Sequence, residues 1–354
     1  MAKIIVAMSG GVDSSVAAFL LKKAGHEIKG VFMKNYESLE THQKNCPWKK
    51  DQDDAKKICQ KLKIPFETWN FERQYSKLVL GYFYKEYRFN RTPNPDILCN
   101  KEIKFGVFLK RALKNGYAMV ATGHYARIKH DQFGYHLLTG VDKKKDQSYF
   151  LSLLNQKQLS KSLFPIGNLT KTQVRKIALK VKLPNASKPD SQGICFIGKI
   201  KLKNLLSKEI KAKPGNVMDS KGQIIGRHKG LSFYTIGQRQ GINIPGAKPY
   251  YVAGKIEKTN TLIVAIGKND PILKNKSLII KKVHWIIQKP NIKKLVCSAR
   301  IRYRQPLSGC RLYVNNSKIK VDFKKPIKAI TPGQFIVFYK NQECLGSAVI
   351  ENAL

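Results

Sequence analysis

Residues 9–15 carry the sequence Ser-Gly-Gly-Val-Asp-Ser-Ser, whose residue types suit a phosphate-binding loop. Two adjacent glycines let the backbone turn tightly and direct successive N–H groups inward, and the serines add hydroxyl groups. An apolar run at 4–7 precedes this stretch and a helical pattern follows it, so the loop is predicted at a helix N-terminus, which favours anions. No lysine follows as in Gly-x-x-x-x-Gly-Lys-Ser/Thr, so this is not the P-loop of nucleoside-triphosphate hydrolases.

Two cysteines lie in segments that predict different thiol chemistry. Cys99 follows two prolines that prevent a regular helix, so we expect a fixed turn that presents Asp96 and Cys99 before a helix over about 101–114. A nearby helix N-terminus and flanking lysines predict a lowered pKa for the Cys99 thiol, and an inert buried cysteine is the alternative. Cys195 lies between apolar residues in a glycine-bounded loop, which by itself indicates a structural cysteine.

Three further segments have residue types that can bind phosphates or bases. His124 follows an apolar run and a glycine, and either a ligand contact or a structural hydrogen bond suits it. The lysines at 143–145 suit either a solvated loop or contacts to backbone phosphates. The arginines at alternate positions of 300–304 are expected on one strand face, opposite Tyr303, where they can bind phosphates or face solvent.

The elements that must position these residues alternate between strand and helix in the first half of the chain. Apolar runs at 4–7, 28–33, 65–69 and 119–121 are separated by helical patterns, which predicts right-handed βαβ units and a parallel sheet. Ligands of such sheets bind beyond the carboxyl ends of the strands. From about residue 214 short runs between Gly, Pro, Asn and Asp turns predict β structure. We therefore expect an α/β domain at 1–205 followed by two small β-rich domains at 206–275 and 276–354.

The composition is that of a globular protein with a large excess of positive charge. Among 354 residues, 42% are hydrophobic and 25% are charged, and 66 Lys and Arg against 23 Asp and Glu give a formal net charge of +43. This charge favours a nucleic-acid partner, and a general lysine bias is an equally open explanation. Seven scattered cysteines do not indicate a disulfide scaffold, and no signal peptide or membrane-spanning run is evident, so we expect a cytoplasmic protein without a membrane partner.

Several motifs occur together in one order along the chain. They are the loop at 9–15, Pro-Asn-Pro-Asp-Ile-Leu-Cys-Asn at 93–100, Ala-Thr-Gly-His-Tyr at 121–125, Lys-Asp-Gln-Ser-Tyr-Phe-Leu at 145–151, Gly-Ile-Cys-Phe-Ile-Gly at 193–198, Arg-Tyr-Arg-Gln at 302–305 and Thr-Pro-Gly-Gln at 331–334. The first resembles the pyrophosphate loop of the ATP pyrophosphatases. The combination resembles the bacterial tRNA-specific 2-thiouridylases over essentially the whole chain.

This resemblance implies the site residues. It implies ATP contacts at Ala7, Met8, Ser9, Gly10, Gly11, Val12, Asp13, Ser14, Met33 and Gly123, and target-base contacts at Asn94, Pro95 and Asp96. It implies tRNA contacts at His124, Lys145, Asp146, Gln147, Arg302, Tyr303 and Gln334. No protein ligand for a metal is expected, although Mg²⁺ is expected to accompany ATP.

The resemblance also implies the reaction. ATP adenylates O2 of the wobble uridine at tRNA position 34, because O2 is otherwise a poor leaving group. Cys195 then carries a persulfide and Cys99 is the nucleophile that frees the sulfur, which replaces the structural interpretation of Cys195. Asp96 either hydrogen-bonds the base or acts as acid or base. The implied partners are tRNAs for Lys, Glu and Gln, a sulfur donor such as a cysteine desulfurase or sulfur-relay protein, and a reductant for a Cys99–Cys195 disulfide.

Two other functions are compatible with parts of the pattern. Another adenylating ATP pyrophosphatase, of the argininosuccinate-synthase or tRNA-lysidine-synthase type, needs the loop and no paired cysteines. A non-catalytic RNA-binding protein with a vestigial loop predicts salt-dependent tRNA binding without AMP release.

Overall fold

The computed structural model describes residues 1–36, 47–190, 202–245, 249–287, 294–315 and 318–354. Cys46 and Cys195 lie outside the described residues. Among the helices of these ranges, none has both the length and the apolar composition needed to cross a lipid bilayer.

A five-stranded parallel sheet forms the centre of the N-terminal domain, as the alternating pattern predicted. Its strands are β1 Lys3–Met8, β2 Glu27–Lys34, β3 Phe66–Asn70, β4 Met119–Ala121 and β7 Ser162–Leu163. The order is β3-β2-β1-β4-β7, so the chain leaves β1 toward one edge and later returns to add β4 on its other side. The strand order therefore reverses between β1 and β4, which is where open α/β sheets bind their ligands.

Helices cover both faces of this sheet. They are α1 Val12–Lys23, α2 Pro47–Lys61, α3 over the consecutive segments Glu72–Tyr75, Ser76–Leu80 and Gly81–Arg88, α4 over Pro95–Leu98, Cys99–Phe108 and Leu109–Lys114, α5 Ser148–Leu151, α6 Gln156–Leu159, α7 Lys171–Lys180 and α8 Leu202–Ser207. Ile4, Val6 and Met8 of β1 pack in the core with α1, α2 and α7, whereas Ile5 and Ala7 pack with α3 and α4. A strand buried on both faces explains the continuous apolar run that the sequence shows there.

The helix that carries Cys99 begins earlier than expected. Pro95 is its first residue, and the side chain of Asn94 caps it by accepting a hydrogen bond from the backbone N–H of Ile97 at 3.3 Å. Cys99 therefore lies within α4, so its expected place on a turn before a helix at about 101 is wrong. The physical reason is that proline fits the first turn of a helix, where its missing N–H has no intrahelical partner. From Cys99 to Phe108 the helix has π-helical hydrogen bonding.

The remaining strands form two β-rich units. A four-stranded sheet has the order β10-β11-β8-β9, with β8 Gly215–Asp219, β9 Ile224–His228, β10 Tyr250–Ile256 and β11 Thr261–Ile266. A larger antiparallel sheet contains β12 Lys274–Ile280, β13 His284–Trp285, β14 Lys294–Arg300, β15 Ser308–Asn315, β16 Lys318–Lys328, β17 Phe335–Lys340 and β18 Glu343–Ala353. The predicted α/β domain followed by β-rich structure is thus confirmed.

Two features of the larger sheet were not anticipated. The hairpin β5 Ala126–Asp131 and β6 Gly134–Thr139 leaves the N-terminal domain and joins this sheet by pairing β6 with β18. Strand β14 ends at Arg300, so the expected strand through residue 304 is wrong, because the chain turns at 301–304. The N-terminal and C-terminal domains therefore share one sheet.

Candidate active site

Backbone and hydroxyl groups of the loop at 9–15 converge between β1 and α1. Gly10 has a φ of +70°, and a Cβ there would lie 2.3 Å from the backbone oxygen of Asp51, so only glycine fits. The Oγ atoms of Ser9 and Ser14 are 3.2 Å apart, and Ser14 Oγ donates to the carbonyl of Gly11 at 3.1 Å. The first turn of α1 follows directly. Two hydroxyls thus lie beside the N-terminus of α1, an arrangement that suits phosphate binding.

The other residues expected at an ATP site lie at the same edge of the sheet. Ala7, Met8 and Val12 are buried, so their contribution is confined to backbone groups and packing. Met33 is buried near the end of the neighbouring strand β2. Gly123 follows β4, and a Cβ on it would lie 2.6 Å from a backbone nitrogen in the first turn of α1. The loop and Gly123 thus flank the point where the strand order reverses.

Lysines from distant parts of the chain surround the loop. Lys171 Nζ lies 2.7 and 2.9 Å from the two carboxylate oxygens of Asp13, and Tyr125 donates its hydroxyl to the same carboxylate at 2.7 Å. Lys171 also lies 2.7 Å from Asp190, which Lys145 contacts at 2.5 Å. Burial alone would raise the pKa of Asp190, but these two lysines lower it to about 2. Lys171, from outside the loop, therefore neutralises the charge of Asp13 in the first turn of α1.

A second lysine connects the loop to α2. Lys188 Nζ lies 3.3 Å from the carbonyl oxygen of Gly10 and 2.8 and 2.6 Å from the carboxylates of Asp51 and Asp54. Asn185 donates to the same carbonyl at 3.0 Å. Sequence reasoning missed Lys171 and Lys188, because no local motif marks them and more than 150 residues separate them from the loop.

The segment with Asp96 and Cys99 occupies the start of α4. Cys99 is fully buried in the core between the sheet and α4, whereas Asp96 is half-buried and its backbone oxygen accepts a hydrogen bond from Asn100 Nδ2 at 3.0 Å. Cys195 lies outside the described residues, so the pairing of Cys99 with Cys195 stays a prediction. The structure places Asn94 and Pro95 directly at the cap and first residue of this helix.

The cysteines other than Cys99 have buried thiols where the structure describes them. Burial raises the pKa of Cys59 to about 12. Burial also raises the pKa of Cys344, and the neighbouring Cys297 thiol, 3.6 Å away, acts with burial to raise that of Cys310. Protonated, enclosed thiols are poor nucleophiles, which fits packing roles for this set.

His124 is enclosed between the sheet and the α4 region. Its Nδ1 lies 2.7 Å from Thr122 Oγ1, and its ring contacts Phe105 and Phe164. Burial, with a smaller effect of Lys104, lowers the pKa of His124 well below its ordinary value, so the ring is neutral at pH 7. A direct contact of this ring with tRNA stays a prediction.

The segment 145–147 divides into surface and interior groups. The Asp146 carboxylate is buried and accepts hydrogen bonds from the backbone N–H groups of Gly140 and Ser148 at 3.2 and 3.1 Å. Gln147 Oε1 accepts from the backbone N–H of Tyr125 at 3.0 Å. These two side chains hold their own segment internally, and Lys145 forms an ion pair with Asp190 beside the loop at 9–15.

The three C-terminal residues expected to contact tRNA also have internal partners. Arg302 Nη2 lies 2.6 Å from the carbonyl oxygen of Ile236 and 2.7 Å from Thr331 Oγ1. Tyr303 packs its ring against Phe150, with centroids 4.5 Å apart. Gln334 hydrogen-bonds to the turn before α4. The contacts of these three residues with tRNA stay predictions.

Comparison with known proteins identifies the family of the chain. A family model described as tRNA methyl transferase HUP domain matches residues 2–199. The tRNA-specific 2-thiouridylase MnmA of Alkaliphilus oremlandii is 46% identical over 99% of this chain and 98% of its own length. The chain belongs to the tRNA-specific 2-thiouridylase family. The enzyme of the same name from Legionella pneumophila subsp. pneumophila is 47% identical over 100% of this chain and 99% of its own.

The rest of this 2-thiouridylase family member matches two further models. One described as tRNA methyl transferase PRC-barrel domain matches 203–266, which contains β8 to β11, and one described as aminomethyltransferase beta-barrel domain matches 275–350. Among solved structures, a 4-thiouridine synthetase–RNA complex with bound ATP matches 59% of this chain and 50% of its own, with 16% identity and a TM-score of 0.38. The two relatives and the three family models confirm the predicted family.

Proposed function

We propose that this protein catalyses the ATP-dependent 2-thiolation of uridine at position 34 of tRNA, giving 2-thiouridine, AMP and pyrophosphate. The observation that carries the proposal is the loop at 9–15, built at the switch point of a parallel sheet in a chain of the 2-thiouridylase family. The relatives are named tRNA-specific 2-thiouridylases, which supports the thiolation of tRNA. The loop supplies the N–H and hydroxyl donors that an adenylating enzyme needs.

The first step is the adenylation of the uracil. O2 attacks the α-phosphorus of ATP, a P–O bond forms, and the bond to the β-phosphate breaks to release pyrophosphate. The N-terminus of α1, Ser9 and Ser14 stabilise the charge that develops on the departing pyrophosphate. No group of three or more His, Cys, Asp or Glu side chains in the described ranges could hold a metal ion. We propose that Mg²⁺ would accompany ATP, where it would neutralise the charge of the phosphates.

The second step replaces the activated oxygen with sulfur. The terminal sulfur of a Cys195 persulfide attacks C2, and AMP leaves with O2. The Cys99 thiolate then attacks the Cys195 sulfur, so the Cys195–sulfur bond breaks, 2-thiouridine is released, and a Cys99–Cys195 disulfide forms. A thiol reductant supplies two electrons to reopen it. Because Cys99 is fully buried in the structure, its thiol must be uncovered for this step.

Asp96 and the polar groups near it are proposed to hold the flipped base. Asp96 is half-buried at the first turn of α4, three residues before Cys99. A carboxylate there can accept a hydrogen bond from uracil N3–H or exchange a proton with the base. The net charge of +43 supports tRNA as the partner, with binding that weakens as salt increases. We propose tRNAs for Lys, Glu and Gln, a persulfide-donor protein and a cytoplasmic location.

The deciding experiment measures sulfur transfer and adenylation together. Unmodified tRNA, ATP and a persulfide donor are incubated with wild-type protein and with the Cys99→Ala and Cys195→Ala variants. Mercury-gel retardation detects 2-thiouridine, and AMP is measured separately. We expect thiolated tRNA from the wild type alone. Thiolation by both variants would assign the chemistry to other groups, and tRNA binding with neither product would indicate a binding protein.

A further inference from the structure

The turn at 92–94, directly before the helix that carries Cys99, is held from a different domain. We propose that Gln334, on the C-terminal β domain, is a positioning residue that sets the geometry of this turn for uridine thiolation. The proposal rests on the proposed function, because it gives the turn its role in holding the target base. It assigns to Gln334 an action through the turn rather than through tRNA.

The amide group of Gln334 matches the polar groups of the turn one by one. Its Nε2 donates to the carbonyl oxygens of Thr92 at 3.0 Å and Pro93 at 2.9 Å, and its Oε1 lies 3.4 Å from Asn94 Nδ2. A primary amide has two N–H donors, and both are used here. A phosphate could bind Gln334 only if these hydrogen bonds were broken first. The side chain is therefore committed to the turn in this structure.

The backbone around Gln334 is shaped for the same contact. The backbone N–H of Thr92 donates to the carbonyl of Pro332 at 3.0 Å. Gly333 has a φ of +89°, and a Cβ on it would lie 2.9 Å from both the nitrogen and the oxygen of Thr92. A side chain at this position would push the turn away. The segment Thr-Pro-Gly-Gln at 331–334 thus fits closely against the turn.

Asn94 transmits the contact to the helix. Its Nδ2 faces Gln334, while its Oδ1 accepts from the backbone N–H of Ile97 and caps α4. One side chain therefore contacts both the C-terminal domain and the first turn of the helix that contains Asp96 and Cys99. Loss of the Gln334 amide would free the Asn94 side chain, and a weakened N-cap loosens the first helical turn.

Arg302 supports this contact from behind. Its Nη2 lies 2.7 Å from Thr331 Oγ1 and 3.0 Å from the carbonyl of Ala329, which fixes the segment leading to Gln334. The same nitrogen reaches the carbonyl of Ile236 in the central domain, next to Thr235, whose hydroxyl lies 3.3 Å from that of Thr92. Both β domains therefore meet at this turn.

Hydrogen exchange tests the positioning without any activity. Gln334→Met removes the donors and the acceptor at similar length and leaves the charge unchanged, and Gln240→Met is the control because Gln240 is exposed in the central domain. In the full-length protein, we expect amides of 92–99 to exchange about tenfold faster in Gln334→Met only, as loss of one or two hydrogen bonds implies. Unchanged exchange at 92–99, or faster exchange throughout 335–353, would overturn the proposal.

Kinetics and binding separate positioning from direct tRNA contact. For Gln334→Met we expect kcat for thiolation to fall about tenfold, whereas the Kd for tRNA and its salt dependence stay within twofold of the wild type. A tenfold weaker Kd with unchanged kcat and exchange would make Gln334 a tRNA contact and refute positioning. If the wild-type protein forms no 2-thiouridine, the proposed function fails, while the exchange result still decides the contact of Gln334 with the turn.

Discussion

Replacing Gly123 with alanine is expected to displace the phosphate loop by a predictable distance. A Cβ on Gly123 would lie 2.6 Å from Ser14 N and 2.7 Å from the carbonyl carbon of Asp13, both backbone atoms. Ordinary contact begins at 3.4 Å, so β4 and the N-terminus of α1 must separate by about 0.8 Å, the difference between 3.4 and 2.6 Å. A misplacement of about 1 Å can cost on the order of 100-fold in rate.

We therefore expect Gly123→Ala to lower kcat/KM for ATP on the order of 100-fold, measured as tRNA-dependent AMP release. Gly254→Ala is the matched control, because its Cβ would meet the side chain of Ile263 at 3.6 Å, an ordinary contact. Overpacking also destabilises by about 1–3 kcal/mol, so both variants are assayed well below their measured Tm. Hydrogen exchange of the amides at 9–15 reports the displacement independently of catalysis.

A folded Gly123→Ala protein whose kcat/KM for ATP is within threefold of the wild type would contradict this expected displacement. Faster exchange at 9–15 with unchanged AMP release would show that the loop moves and that its position does not limit the reaction. Equal losses in both glycine variants would indicate general destabilisation instead of loop displacement.

Three further predictions concern charged groups. Lys171→Met should raise the KM for ATP about tenfold, because it removes the ion pair of the Asp13 carboxylate. Lys176 is exposed on the same helix, so Lys176→Met is the control and should leave the KM unchanged. Equal KM values for the two variants would contradict this role of Lys171. Burial lowers the pKa of Lys255 from 10.5 to about 8, so the unfolded chain binds more protons than the folded chain between these pH values. The free energy of unfolding in urea should therefore rise from pH 8 to 10.5 by up to about 3 kcal/mol relative to Lys255→Met. Parallel curves of this free energy against pH for the two proteins would exclude the effect. Burial opposes protonation of His136, but hydrogen bonds to the carboxylates of Glu343 and Asp131 raise its pKa above 6.5. Protonated His136 therefore stabilises the fold fully below pH 6.5, and this stabilisation is lost as pH rises through the raised pKa. A His136→Gln protein whose Tm has the same pH profile as the wild type would disprove this.

The fold class and the glycine turn between β1 and α1 could be predicted because their signals are local. Buried parallel strands require continuous apolar runs, and the turn between β1 and α1 requires glycine at position 10, so both leave marks in adjacent residues. The family could be identified for the same reason, since its motifs are short and ordered. The start of α4 was mispredicted because two opposite effects of proline compete there, and the cap by Asn94 favours the helix.

Amino-acid order alone determines the parallel sheet, the glycine turn at its edge and the order of the α/β and β-rich parts. The partners of polar side chains are set by packing between segments that are far apart in the chain. Lys171 forms an ion pair with Asp13, and the side chains of Arg302 and Gln334 bind groups inside the protein. The hairpin at 126–139 joins the C-terminal sheet. No local sequence pattern indicates any of these contacts. A hydrogen bond depends on the position and direction of both groups, and only the folded chain sets those.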